Sequence, residues 1–364
     1  MPQWPATNLS LDCFPSVPAS VGLPWDAADE YLLRELPATD ENAAPSPWLI
    51  LNDRHGALAT ATEPAHWWAD SYCARVATER NCRKNNRKTP VFIDTADLAS
   101  LSGTAPSTPV VLIRIPKQKD QLADQLHAIG RIAPNARVLL AGMAKHIPIP
   151  LLNWLEDVAD TYRQGPVVKK ARFVEITGLS GFEATAIKHY DINDFRFDAP
   201  AGVFCSDRPD PGAQVMLQHL PTGVRGVICD LGCGNGILTA HLGRANPDAT
   251  MIATDDSQLA ANAAKANMER NGIRADVRHG NILSAVDEPL DLIVCNPPFH
   301  DGHKQLTNIA EDMFRQAQQQ LNKGGRLMVV ANRHLPYSKT LNRLFKRVEL
   351  ISNDRRFNVY DCYR

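Results

Sequence analysis

The sequence predicts an α/β protein of two tandem Rossmann-like domains, the N-terminal one a degenerate copy of the C-terminal one. Short apolar runs alternate with amphipathic helical stretches through both halves of the 364 residues, as a parallel sheet covered on both faces requires. In the second half an apolar run, Val227-Ile228-Cys229-Asp230-Leu231, opens onto the glycine-rich loop Gly232-Cys233-Gly234-Asn235-Gly236 and then a helix. In the first half a comparable strand, Leu49-Ile50-Leu51, runs through Asn52-Asp53-Arg54-His55 into Gly56-Ala57-Leu58. The length suffices for two cores, placed at 1–180 and 201–364 with a linker at 181–200.

Within the first domain, setting Gly56-Ala57-Leu58 against Gly236-Ile237-Leu238 puts Asn52 and Arg54 where the second loop has Gly232 and Gly234. Bulky side chains there block close approach of a ligand, so this copy is expected to keep a core and lose a site. A basic segment follows, with Arg80, Arg83, Lys84, Arg87 and Lys88 among nine residues and no acid between them. These side chains are the best candidates for contacts to a polyanion; the alternative is a solvated helix end. A strand at 110–117, a helical stretch carrying Leu122, Leu126 and Ile129, and a strand at 137–142 complete the alternation. The linker has mixed character and reads as a possible hairpin.

In the second domain a helix is expected at 213–220, near the mouth of the site. The G-x-G-x-G spacing differs from the G-x-G-x-x-G of dinucleotide binders and favours S-adenosylmethionine, with Asp230, Gly232, Gly234 and Gly236 as its contacts. The next strand, 250–254, ends in Asp255-Asp256; an acid there accepts ribose hydroxyls, and Asp255 is assigned that role. A third strand at 276–279 leads to Asn281, positioned to reach the adenine amine. A fourth, Leu290-Asp291-Leu292-Ile293-Val294-Cys295, ends in Asn296-Pro297-Pro298-Phe299. A helix at 308–321 and a strand at 327–331 follow.

That fourth strand end addresses one chemical problem, the presentation of a planar nitrogen to an electrophile. The Asn296 side-chain oxygen and the Pro297 carbonyl both accept hydrogen bonds. Pro298 stiffens the turn and brings no competing N–H. Phe299 offers a face on which a base stacks. Asn296, Pro297 and Phe299 are the predicted catalytic residues, Asn296 also borders the cofactor, and Pro298 and His300 are predicted to touch substrate.

The bulk numbers exclude other classes. With 39 basic and 40 acidic residues the net charge is −1, so a generic polyanion binder is not expected and nucleic-acid contacts must come from local patches. Residues 1–20 show no secretory pattern and no apolar run approaches the length of a membrane span, so a cytoplasmic location is expected. Eight cysteines without Cys-x-x-Cys pairs fit small buried thiols rather than disulfides or zinc. His300 and His303 form a short His-x-x-His with no further ligand cluster, so no metal is expected.

Taken together, a degenerate half, a complete half, Asp230-Leu231-Gly232-Cys233-Gly234-Asn235-Gly236 and Asn296-Pro297-Pro298-Phe299-His300 resemble the bacterial ribosomal RNA guanine-N2 methyltransferases. The resemblance covers nearly the whole chain and implies two class I methyltransferase domains. Trp25-Asp26-Ala27-Ala28-Asp29-Glu30-Tyr31, Gln218-His219-Leu220-Pro221 and Ala331-Asn332-Arg333-His334-Leu335 look like the member acting on large-subunit (23S) RNA; His300-Asp301-Gly302 is closer to the small-subunit (16S) pattern. Residues 206–209 depart from both. The implied activity is methylation of the exocyclic N2 of a guanine in 23S RNA, with the same reaction on 16S RNA as the alternative. NPP-aromatic strings also serve adenine-N6 DNA and protein glutamine methyltransferases. A non-enzymatic RNA-binding assembly factor is disfavoured by the intact second-half motifs.

Overall fold

A computed structural model of the protein describes residues 3–5, 7–17, 22–37, 46–204, 208–298 and 304–364. It divides into two units, Met1–Ala186 and Ile187–Arg364. The division falls inside the stretch read as a linker: Thr185 still bonds to Asp124 of the first unit, whereas Tyr190 and Asp198 bond to Asn235 and Asn267 of the second.

The first unit begins with a small hairpin, β1 (Gln3–Trp4) and β2 (Leu9–Ser10), followed by α1 (Ala27–Glu35). Its main chain then alternates through β3 (Leu49–Leu51), α2 (Ala57–Thr62), β4 (His66–Trp68), α3 (Tyr72–Lys84), β5 (Val91–Phe92), β6 (Val110–Arg114), α4 (Lys119–Ile132), β7 (Arg137–Met143), α5 (Ile149–Val158), β8 (Thr161–Gln164) and β9 (Ala171–Thr177). The sheet order is β5-β4-β3-β6-β7-β9-β8, with only β9 running against its neighbours.

The second unit repeats that plan. A hairpin, β10 (Lys188–Ile192) and β11 (Phe195–Ala199), and α6 (Pro211–Leu217) precede β12 (Gly226–Leu231), α7 (Ile237–Ala245), β13 (Ala249–Asp255), α8 (Gln258–Arg270), β14 (Asp276–His279), β15 (Leu290–Cys295), α9 (Lys304–Gln320), β16 (Leu321–Asn332), α10 (Tyr337–Leu344), β17 (Arg347–Asn353) and β18 (Phe357–Tyr363). Its order, β14-β13-β12-β15-β16-β18-β17, is that of the first sheet, again with one antiparallel strand, β18, between the last two. The tandem Rossmann-like architecture predicted from the alternation is therefore present in both halves.

Period-2 burial fixes which side of β15 feeds which layer. Ile293 and Cys295 pack with Phe314 of α9 and Leu341 of α10. Leu292 and Val294 pack with Ile237 of α7 and Met216 of α6. All four strand residues are fully buried, each side chain of this size contributing about 1.5–3 kcal/mol. The strand cannot slip by one residue without exchanging the two layers. The residue that follows it is thereby fixed in space.

The strand order reverses between β12 and β15, which run parallel with Leu231 beside Cys295. In open α/β sheets such a switch point opens a crevice beyond the carboxyl ends of the strands. Gly232 and Asn296 are the next residues on the two strands, so the glycine loop and the NPP turn leave the sheet side by side.

Candidate active site

Gly232, Gly234 and Gly236 all adopt left-handed backbone, with φ of 78°, 56° and 89°, but they serve different ends. A Cβ on Gly236 would lie 2.8 Å from Met268 and 3.3 Å from Ala264; this glycine lets α7 close against α8. Among the described residues a Cβ on Gly234 would meet nothing within 4 Å, so its bare backbone borders open space.

The loop does not present a row of vacant N–H groups. The Gly232 and Cys233 amides donate to the Thr254 carbonyl at 2.8 and 3.0 Å, and Gly236 N–H to the Cys233 carbonyl at 2.9 Å. Gly234 N–H donates to Asp255 Oδ2 at 2.9 Å, while Asp255 Oδ1 accepts from Ser257 N–H at 2.9 Å. Asp255 thus stands against the loop, at the end of the strand where the sequence places it. Gly280 N–H donates to the Asp255 carbonyl at 2.9 Å, which brings Asn281 to the same edge. There Asn281 forms a turn with Ser284 and Ile282 takes a left-handed φ of 55°.

Asp230, read from the sequence as a cofactor contact, is fully buried and faces α7, its Oδ2 accepting from Thr239 Oγ1 at 2.6 Å. That bond ties the strand end to the first turn of α7, while Asp230 Oδ1 has no hydrogen-bond partner among the described residues. Burial pushes its carboxyl up to about 7, against the opposing pull of the Thr239 hydroxyl and N–H. Between pH 4 and 7 the unfolded chain has released this proton and the folded chain keeps it, so stability falls as pH rises through that window. Asp230→Asn should remove on the order of 2–3 kcal/mol of the loss between about pH 5 and pH 8, measured by urea unfolding of the ligand-free protein at the two pH values.

Asn296 shows the most informative geometry. Its Nδ2 donates to Asp210 Oδ2 at 2.9 Å, and the same oxygen accepts from Ala213 N–H at 2.7 Å. The other amide atom, Asn296 Oδ1, is buried with no hydrogen-bond partner among the described residues. A carboxylate accepts only, so the bond to Asp210 settles which end of the amide is which. A buried acceptor without a donor costs about 1–3 kcal/mol, a cost that the N–H of a bound amine would remove. Pro297 is buried and Pro298 exposed. Phe299, His300 and His303 lie outside the described residues.

Several residues that hold this site were missed in the sequence. Asn235 Nδ2 donates to the Tyr190 hydroxyl at 2.7 Å. Asn267, fully buried on α8, donates to the Asn235 carbonyl and to the Asp198 carbonyl, both at 2.9 Å. The β10–β11 hairpin, within the stretch read as a linker, therefore buttresses the glycine loop.

In the first unit the corresponding crevice is plugged from within. Asp53 Oδ1 and Oδ2 accept from Ala57 and Ala59 N–H at 3.0 and 2.9 Å, so the protein's own carboxylate sits at the start of α2. Arg114 ends β6, beside β3 with Ile113 opposite Leu51, the position Asn296 holds after β15. Its guanidinium grips Asp26 at 2.7 and 2.8 Å and reaches Asp29 at 3.1 Å. The one glycine kept, Gly56, would place a Cβ 2.4 Å from Thr78 Cα on α3. The glycine kept is the one that helix packing needs; Asn52 and Arg54 stand where the second loop has Gly232 and Gly234.

The basic segment is less cationic in space than in sequence. Lys84 pairs with Asp12 at 2.7 Å and Arg87 with Glu63 at 2.9 Å, and Lys88 N–H also donates to Glu63. Arg80 lies 4.3 Å from the centre of the Phe14 ring. All five side chains are on exposed residues, and exposed pairs of this kind are worth about 0–1 kcal/mol, so they yield readily to a phosphate. Among the described residues no group of three or more His, Cys, Asp or Glu could hold a metal ion, and no helix is long and apolar enough to cross a membrane.

Comparison with known proteins agrees with this anatomy. Residues 2–179 match the RLMG N-terminal domain and residues 194–361 the methyltransferase small domain. The ribosomal RNA large subunit methyltransferase G of Pectobacterium atrosepticum is 36% identical over 368 residues, covering 97% of this chain and 95% of that protein. A solved structure, the 16S rRNA N2 methyltransferase of T. thermophilus in complex with AdoMet and guanosine, is similar with a TM-score of 0.74 at 19% identity, over 93% of this chain and 92% of that one.

Proposed function

We infer the activity of a chain that belongs to the ribosomal RNA large subunit methyltransferase G family: it methylates the exocyclic N2 of a guanine in 23S ribosomal RNA, with S-adenosylmethionine as methyl donor. The observation that carries this reading on the chain itself is Asn296 Oδ1, a buried acceptor without a partner among the described residues, at the switch point of the second sheet.

The N2 amine of guanine has its lone pair delocalised into the ring and needs orientation more than it needs a strong base. Asn296 Oδ1 and the Pro297 carbonyl accept its two hydrogens, and Phe299 stacks on the ring. The lone pair is thereby aimed out of the ring plane. When bound, S-adenosylmethionine supplies an electrophilic methyl carbon. The open face at Gly234 and the Asp255 carboxylate beside it fit its amino-acid end and its ribose, with Asn281 toward the adenine. Holding both partners in one crevice supplies the proximity advantage, up to about 7–11 kcal/mol in well-oriented systems. A paired guanine hides N2 in the minor groove, so the target base is single-stranded or turned out into the site.

The first unit, with its own crevice plugged, serves RNA recognition or supports its neighbour; the exposed Arg80, Arg83, Lys84, Arg87 and Lys88 are its candidate phosphate contacts. The protein acts in the cytoplasm, where ribosomal RNA is made and modified.

Mapping N2-methylguanine in both ribosomal RNAs, with and without the gene, tests the assignment. The expected result is one mark lost from 23S and restored by the intact gene. Loss from 16S instead would move the substrate to the small subunit, and unchanged marks in both would overturn the reading.

A further inference from the structure

We propose that Asp210 is a positioning residue for methyl transfer: its carboxylate fixes the rotation of the Asn296 amide so that the oxygen, and not the NH2 group, faces the substrate amine. This rests on the guanine-N2 reading above and deepens it.

An asparagine at the end of a strand has two nearly isosteric amide orientations. One presents an acceptor to the amine and the other presents a donor, which would repel it. Asp210 chooses between them, because a carboxylate only accepts and the 2.9 Å contact from Nδ2 leaves the oxygen as the amide atom not bound to it. That oxygen is the buried, unpartnered atom. The bond is charge-assisted and draws electron density toward Oδ1, the end that receives the amine hydrogen.

The neighbouring residues are arranged for this contact. Asp210 is the N-cap of α6 and is followed by Pro211, which holds the entry to the helix rigid. Its carboxylate is anchored by the Ala213 amide at 2.7 Å. A Cβ at Gly212 would stand 3.0 Å from Asp210 Oδ2 and 3.4 Å from Asn296 Oδ1, so any larger residue there would crowd the pair.

A second, independent observation comes from the first unit. Asp26 is the N-cap of α1, bonded to Ala28 N–H at 2.8 Å, and it grips Arg114. Arg114 stands at the strand position of Asn296. Both halves thus link an N-cap aspartate to the end of the fourth strand, at Arg114, the last residue of β6, and at Asn296, the first residue after β15. In the plugged half the partner is a cation, for which orientation has no meaning. In the open half it is an amide, whose two ends differ chemically, and the same link becomes a selector.

Serine caps a helix as well as aspartate but is too short to reach Asn296. Asp210→Ser should lower kcat by about 10- to 100-fold, with cofactor Kd and melting temperature close to wild type; unchanged kcat overturns the proposal. A charge-swap rescue gives a readout that a helix cap alone would not move. Asn296→Asp sets two carboxylates against each other and should lower kcat by about 100-fold or more. Adding Asp210→Asn supplies a donor to the carboxylate at position 296, again turning an acceptor toward the substrate, and should recover at least about tenfold of the loss. Absence of recovery in a folded, cofactor-binding double variant sinks the proposal. The guanine-N2 reading fails separately, if the wild-type protein transfers no methyl group to guanine N2.

Discussion

Asn296→Ala should lower kcat for methyl transfer by about 10³-fold or more, with cofactor affinity held within about threefold. The asymmetry follows from where the side chain works. It closes a strand whose preceding residues are fully buried, so the backbone stays in place when the amide is cut away. What is lost is the acceptor that orients the amine, and with it the alignment that converts encounter into reaction. Asp210 keeps its bond from the Ala213 amide, so α6 remains capped and the melting temperature should hardly move. Isothermal titration with S-adenosylmethionine, together with single-turnover transfer to RNA, separates the two quantities. Parallel loss of both would assign Asn296 to the cofactor and not to the clamp.

Gly234→Arg should act on the opposite half of the reaction, weakening cofactor binding by at least about 100-fold. Because no atom lies within 4 Å of the added Cβ, the domain accommodates the side chain. The remaining conformational penalty is the left-handed φ of 56°, about 1–2 kcal/mol for an L-residue. The variant should therefore fold, lose a modest part of its stability, and fail to bind because the arginine fills the space over the loop. Unchanged affinity in the same titration would refute the placement of the cradle.

What could be read from the chain and what could not divide along a physical line. The glycine loop, Asp255 and Asn296 were legible because each follows directly on an apolar strand, so local pattern alone fixes its place at a strand end. The repeated strand order follows from the same alternation. The contacts of Asp210, Tyr190 and Asn267 with these segments were not legible, because they are hydrogen bonds to residues distant in sequence. Asp210 lies 86 positions from Asn296 and Asn267 lies 32 from Asn235. The burial of Asp230 and its bond to Thr239 depend on how α7 packs, which strand periodicity does not reveal. The basic segment looked stronger than it is for a related reason. The acids that temper it, Asp12 and Glu63, lie 72 and 24 positions from their partners, beyond any local charge count.

The plug in the first unit has an energetic consequence. Arg114 at the end of β6 is flanked by the carboxylates of Asp26, Asp29 and Asp53. An asparagine in its place would strand three acids without their cation, so exchanging that one side chain does not turn the silent crevice into a copy of the open one.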